Sequence, residues 1–155
     1  MAVVSFPLSR AQALAPDFGE AGTVKNAGRS ITTNADDSIN STYDFCKIPV
    51  DAILLPSSRI HTDDLASSGS PSFDFGFFGD QITDDDDALR ANVGVSSANT
   101  DLYAISDKSN WYKKVWEILG LSSSPGGTIT VRGTLKAAAI NTAGEVCVDL
   151  YYKLD

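Results

Sequence analysis

The sequence predicts an all-β fold: an antiparallel β-sandwich or jelly roll with one short helix and an extended N-terminal arm. Three observations carry this expectation. From residue 25 onward the apolar residues mostly recur with a period of two, the spacing of half-buried strands. Six or seven such runs are separated by short polar turns or by proline, as in sandwiches of short strands. A chain of 155 residues fits one domain, and a domain of that size buries roughly 70% of the surface its unfolded chain exposes, so it holds a core without staples.

Residues 1–24 read as the arm. Val3, Val4, Phe6, Leu8, Leu14 and Phe18 follow no sustained helical or strand period, yet they are too apolar for an ordinary disordered tail. Such a segment is expected to pack on its own domain or on a partner, and Val4, Phe6, Leu8, Arg10 and Phe18 are its candidate partner-binding residues. Ala13–Ala15 supplies a small-x-small triplet. No secretory leader is expected, because a basic n-region is missing and Pro7, Ser9 and Arg10 interrupt the apolar stretch.

Residues 25–155 form the predicted sandwich domain. Its first strand candidates are KNAGRSITT, STYDFCKIPV and AILLPSSRIHT, divided by the polar turn NADDSIN and by Pro49 and Pro56. SFDFGFF follows, with Phe73, Phe75 and Phe77 on one face, then a shorter run near RANVGV. In SNWYKKVWEILGL, residues 109–121, Trp111, Val115, Ile118 and Leu119 share a helical face, with Ser109 or Asn110 as cap and Gly120 as stop. GTITVRGTLKA places Ile129, Val131, Gly133 and Leu135 opposite Thr130, Arg132, Thr134 and Lys136. GEVCVDLYYKL sets Val146, Val148, Leu150, Tyr152 and Leu154 against Cys147, Asp149, Tyr151 and Lys153. The NTAG between them, residues 141–144, has the Asn and Gly of a hairpin turn, so these last two strands are expected to pair.

Twelve Lys and Arg stand against twenty Asp and Glu, a net charge of −8. That balance argues against nucleic acid and against an anionic membrane surface, since both are held by clustered basic residues. No apolar run approaches the roughly 18 residues of a membrane-spanning helix. Like-charge repulsion keeps copies apart until a complementary surface captures them.

The search for chemistry returns little. Asp84–Asp87 fails the spacing of a calcium loop: counted from Asp84, position six is Leu89 and position twelve is Val95, where glycine and glutamate are needed. The run is expected to be a solvated rim, with Asp84 or Asp85 capping a turn. His61 is the only histidine, so a zinc site would need both cysteines and a carboxylate to converge. It reads as a satisfied strand histidine. Cys46 and Cys147 lie far apart in apolar runs and read as two buried free thiols, with a disulfide between them as the alternative. Trp111 and Trp116 could form a sugar-stacking platform, but one of them is expected in the core. No nucleophile elbow or phosphate loop is present. The expectation is therefore a non-enzyme with no cofactor, no metal site and no catalytic residue.

The order of KIPVDAILLPSSRIHTDDLASSGSPSFDFGFFGD and LYAISDKSNWYKKVWEILGLSSSPGGTITVRGTLKAAAINTAGEVCVDLYY resembles the decoration, or cement, proteins of tailed-bacteriophage heads. Ile48 and Pro49 match the strand entry of that pattern, Asp63–Leu65 its DDL turn, and Phe75 with Gly76 its strand end. Trp116–Gly120, Pro125–Gly127, and Ala143 with Gly144 match the later elements. The resemblance spans residues 24–154 and leaves the first 23 unmatched. It implies a β-sandwich on the outer surface of an assembled capsid, bound to the major capsid protein and to copies of itself, a trimer by analogy with local three-fold axes. It brings no catalytic residue. Two rivals are a head-completion or tail adaptor protein, separable by its low copy number per particle, and a carbohydrate-binding module or small hydrolase, which needs an exposed Trp111 or Trp116 or a convergent carboxylate pair.

Overall fold

The structure, a computed structural model, describes residues 3–4 and 23–155, with 3–4 and 99–104 described by their backbone alone. Its strands are β1 Val3–Val4, β2 Lys25–Asn26, β3 Arg29–Thr33, β4 Thr42–Pro49, β5 Ile53–Leu54 and β6 Arg59–Thr62. They continue as β7 Ser72–Phe78, β8 Asp85–Gly94, β9 Asn99–Ala104, β10 Thr128–Lys136, β11 Gly144–Asp149 and β12 Tyr151–Lys153. A 3₁₀ turn, Lys108–Asn110, and one α-helical turn, α1 Val115–Ile118, lie between β9 and β10.

These strands form three sheets, in the orders β1-β4-β10-β7-β8, β3-β11-β6-β9 and β2-β12-β5. The pairing is antiparallel apart from β1, which runs parallel to β4. One core lies between the sheets. The first sheet contributes Phe45, Phe73, Phe75, Phe77, Val131 and Leu135, the other two contribute Ile31, Ile60, Val146, Val148 and Tyr152, and Leu150 joins them from between β11 and β12. The predicted all-β sandwich is therefore what the chain forms, and the period-two reading of residues 127–154 holds: the inward set is buried, apart from a half-buried Leu154. Gly133 leaves room for three rings, since a Cβ there would stand 3.0–3.3 Å from Phe45, Phe75 and Phe73. These rings pack tilted, at centroid distances of 5.8 Å for Phe45–Phe75 and 5.9 Å for Phe73–Phe75.

The NADDSIN turn is tied down from inside. Asp37 is buried and accepts hydrogen bonds from the Asn34 amide (2.9 Å) and from the Tyr43 hydroxyl. Burial and the adjoining carboxylate raise the Tyr43 pKa far above its ordinary range, so the phenol stays a donor.

Three expectations are corrected. First, β10 and β11 do not pair: β10 lies between β4 and β7, while β11 lies between β3 and β6. The connection crosses from one sheet to another, with Ala137 at φ 59° starting the turn and Ile140 buried on the way. The Ile140 amide donates to the Asp37 carbonyl and those of Asn141 and Thr142 to Leu65, so the linker's donors serve other loops rather than a hairpin.

Second, the predicted helix over 109–121 shrinks to one turn. The amides of Tyr112, Val115 and Trp116 donate to the carbonyls of Leu54, Ala52 and Val50, committing that backbone to the segment beside it instead of to a helix. Glu117, bonded to the Lys114 amide at 2.7 Å, caps the turn in place of Ser109 or Asn110. Gly120, at φ 69°, is the expected stop.

Third, Asp85–Asp87 begin strand β8, opposite Phe77, and do not cap a turn. Of the two side chains expected to cap, Asp84 and Asp85, it is Asp84 whose carboxylate accepts from the Gly79 amide, at 3.2 Å. Strand β9 was not anticipated. Its sequence, NTDLYA, is short and half polar.

Candidate functional site

The arm is the first candidate. Val4 lies in β1, whose backbone pairs Val3 with Thr42 and Val4 with Tyr43 along one edge of β4. Phe6, Leu8, Arg10 and Phe18 lie outside the described residues. Among the described residues no strand continues along that edge beyond Tyr43, so Asp44–Pro49 is bordered there by nothing that the structure describes. A bare edge presents unpaired amides and carbonyls in a row, and a strand can extend it.

A polar cleft of about 770 Å³ forms the second candidate, on the outer face of the first sheet. Outward positions of β4, β10 and β7 supply Lys47, Thr128, Thr130, Arg132 and Phe78, and the 79–84 loop adds Asp80, Gln81 and Asp84. The lining is held in place by its neighbours. Arg132 makes a two-pronged contact with Asp44 at 2.5 and 3.1 Å, and its guanidinium lies 4.3 Å from the centre of the Phe78 ring. With its amide turned so that the nitrogen faces Pro125 and Gly126, Gln81 donates to their carbonyls at 2.9 and 3.1 Å. Fixed groups cost little entropy when a partner binds. The cleft offers donors and acceptors of both charges, which suits a polar protein surface. Sequence reading placed Thr130 and Arg132 on the outer face but gave no sign that loop 79–84 would wall them in.

Asp85, Asp86 and Asp87 bring carboxylate oxygens within 4.8 Å of one another. Asp86 is paired with Lys136 at 2.6 Å, so the expected rim is only partly solvated. Burial, then the neighbouring Asp87 and Asp86, raise the Asp85 pKa above the usual carboxylate range. A carboxyl raised in the folded state binds more protons than in the unfolded chain. Its ionisation therefore weakens the fold as pH rises, and the penalty is relieved as pH falls. Asp85→Asn is expected to raise the melting temperature at pH 7 by about 1–2 °C. The gain should vanish near pH 3, below the ordinary carboxylate range of about 4. A thermal-melt series across pH checks this, and a lowered melting temperature at pH 7 would count against crowding as the cause.

The remaining candidates are dispersed, apart from His61 and Cys147 on adjacent strands. Cys46 and Cys147 are free, as expected, but only Cys46 is buried and Cys147 is half-buried. Burial pushes the Cys46 thiol up to about 12, while burial, then Asp149 and Glu145, raise that of Cys147. Neither favours the thiolate that reactivity needs. His61 sits in β6, where its cross-strand neighbour is Cys147. Trp111 and Trp116 are both half-buried, and the Trp111 indole donates to the Ser106 carbonyl at 3.3 Å. Neither is among the exposed large apolar side chains.

No protein-family model and no curated protein matches the chain. A solved structure does: a chain of the cyanophage Pam1 capsid asymmetric unit is similar over 96% of this chain and 98% of its own length, with a TM-score of 0.64 and 21% identity. At that identity the likeness is one of fold.

Proposed function

We propose that this chain is a structural protein of a phage virion, associated with the capsid. More finely, we read it as a decoration protein that binds the outer surface of the assembled shell and stabilises it. The observation that carries the reading is the end-to-end likeness to a chain of a phage capsid asymmetric unit. Its partners in this reading are the major capsid protein and further copies of itself, without nucleic acid or membrane, and it performs no catalysis.

The physics of such a role is simple. A protein that binds only the assembled lattice shifts the equilibrium away from disassembly. Weak contacts suffice where one copy touches several subunits, because the second contact forms at high effective concentration. An acidic chain of net charge −8 resists collecting on itself before a complementary surface is offered. The arm supplies apolar area for the clamp: burying two side chains such as Phe6 and Leu8 contributes roughly 3–6 kcal/mol.

The test is deletion of residues 1–20. The truncated chain is expected to stay folded, because among the described residues the arm gives the sheet only the two paired residues of β1, and to melt within about 3 °C of the intact chain. Its occupancy on expanded shells is expected to fall about tenfold or more. Full occupancy after truncation would remove the arm from the interface. Failure to fold would place the arm in the core. Copy number per particle on the scale of the shell's own subunits, rather than of a single vertex ring, is the further expectation of this reading.

A further inference from the structure

The fold sets the chain's one histidine directly beside a cysteine. Cys147 of β11 pairs in register with His61 of β6. Burial alternates along both strands, with Ile60, Thr62, Val146 and Val148 inward, so the imidazole and the thiol emerge half-buried on the same outer face. Residues directly opposite in an antiparallel pair hold their Cβ atoms about 4.5–5.5 Å apart. From that spacing an imidazole nitrogen and a sulfur can reach one ion at their usual distances to zinc, about 2.0 and 2.3 Å.

Two carboxylates flank the pair. Glu145 and Asp149 lie two residues either side of Cys147, on the same face of β11. Ser30 donates to Glu145 at 2.8 Å and Asn26 to Asp149 at 2.5 Å, which orients both. Arg59, opposite Asp149, commits its guanidinium to the carbonyls of Pro56 and Ser58. Burial, then Asp149 and Glu145, keep the thiol protonated, but the same negative charge favours a divalent cation, which sends the thiol proton to solvent as the sulfur binds it. Imidazole nitrogen, thiolate sulfur and carboxylate oxygen, with water in the fourth place, make a tetrahedral zinc donor set. We propose that His61 and Cys147, with a carboxylate oxygen from Glu145 or Asp149, form a zinc-binding clip across β6 and β11. Cys46, buried in β4, takes no part, and water stands where a second thiolate would. The donors are not gathered in advance: among the described residues only Asp85–Asp87 bring three metal-binding atoms within 4.8 Å of one another. Side-chain rotation must close the clip, so its affinity is expected on the order of micromolar, weaker than a preformed structural centre. The inference does not depend on the capsid reading, because it concerns the isolated chain.

The test titrates cobalt(II) chloride, then zinc chloride, into the reduced full-length chain. Cobalt bound to a thiolate absorbs in the near ultraviolet, a signal that the carboxylates of Asp85–Asp87 cannot give. One equivalent of cobalt is expected to develop that band and zinc to remove it, since thiolate ligands favour zinc. Cys147→Ser is expected to abolish the band, and His61→Gln to weaken binding about tenfold or more. Alkylation of the intact chain, read by mass spectrometry, needs no variant. Zinc at about 1 mM is expected to slow modification of Cys147 about tenfold or more, because the metal-bound sulfur is withdrawn from attack. No band at about 1 mM cobalt overturns the proposal, as does a band that Cys147→Ser retains. So does an affinity that His61→Gln leaves intact, or a Cys147 alkylated as fast with zinc as without it.

Discussion

Gly76→Ala is expected to destabilise the fold by about 3 kcal/mol or more, lowering the melting temperature by roughly 6–12 °C for a chain of this size. A Cβ at position 76 would stand 1.9 Å from the Asp85 carbonyl oxygen and 2.5 and 2.7 Å from the Asp86 carbonyl carbon and Cα. All three are backbone atoms, so no side chain can swing aside. The crowding comes from a bulge: Phe75 pairs with Arg90 and Phe77 with Asp85, so two steps along β7 face five along β8. The excess chain folds over Gly76, the residue without a side chain. To admit even a methyl group, β8 must lift away from a strand whose neighbouring rings, Phe75 and Phe77, are fully buried. Denaturant unfolding measures the loss. A cost below about 1 kcal/mol would mean that the start of β8 lies loosely over β7.

Val148→Asp is expected to abolish folding or to cost several kcal/mol, because it places an unpaired carboxylate in the core. Val148 is fully buried in β11, opposite Arg29 on one side and Ile60 on the other. The introduced carboxyl would have its pKa raised by burial, so any folded fraction should grow as pH falls, the direction in which the buried group becomes neutral. The control is the adjacent residue on the opposite face. Asp149 is half-buried and accepts a hydrogen bond from Asn26 at 2.5 Å, so Asp149→Val should cost about 1 kcal/mol. Circular dichroism and thermal melting of the two variants decide it. Equal severity would mean that residues 144–153 do not present alternate faces.

The strands that could be read from sequence are those whose alternation is unbroken. In Ile129, Val131 and Leu135, and again in Val146, Val148, Leu150 and Tyr152, burial on one face repeats every second residue, and local composition is enough to show it. The short strand β9 and the acidic start of β8 lack that signal. Asp85–Asp87 belong to a strand because Phe77 pairs across from them and Lys136 meets Asp86, neither of which is adjacent in sequence. The candidate site was legible in part. The arm stood out by its apolar, aperiodic composition, whereas the cleft depends on Lys47, Arg132 and Gln81 arriving from three separate segments.

By itself, then, the sequence determined the β character of the chain, the inward face of its regular strands and the stop at Gly120, because each depends on neighbours within a few residues. Only the tertiary structure decided which strands pair. Among the described residues β7 and β8 alone are consecutive strands that pair directly, and every other ladder joins strands separated along the chain. Alternation says which face of a strand is buried but not which strand lies beside it, since the backbone donors and acceptors that make the ladder are the same in every residue but proline. NTAG had the residues of a hairpin, and Trp111, Val115 and Ile118 had the spacing of a helix. In both segments the amides found carbonyls elsewhere in the chain, at Asp37 and Leu65 for the first and along 50–54 for the second, and those distant partners fixed the local structure.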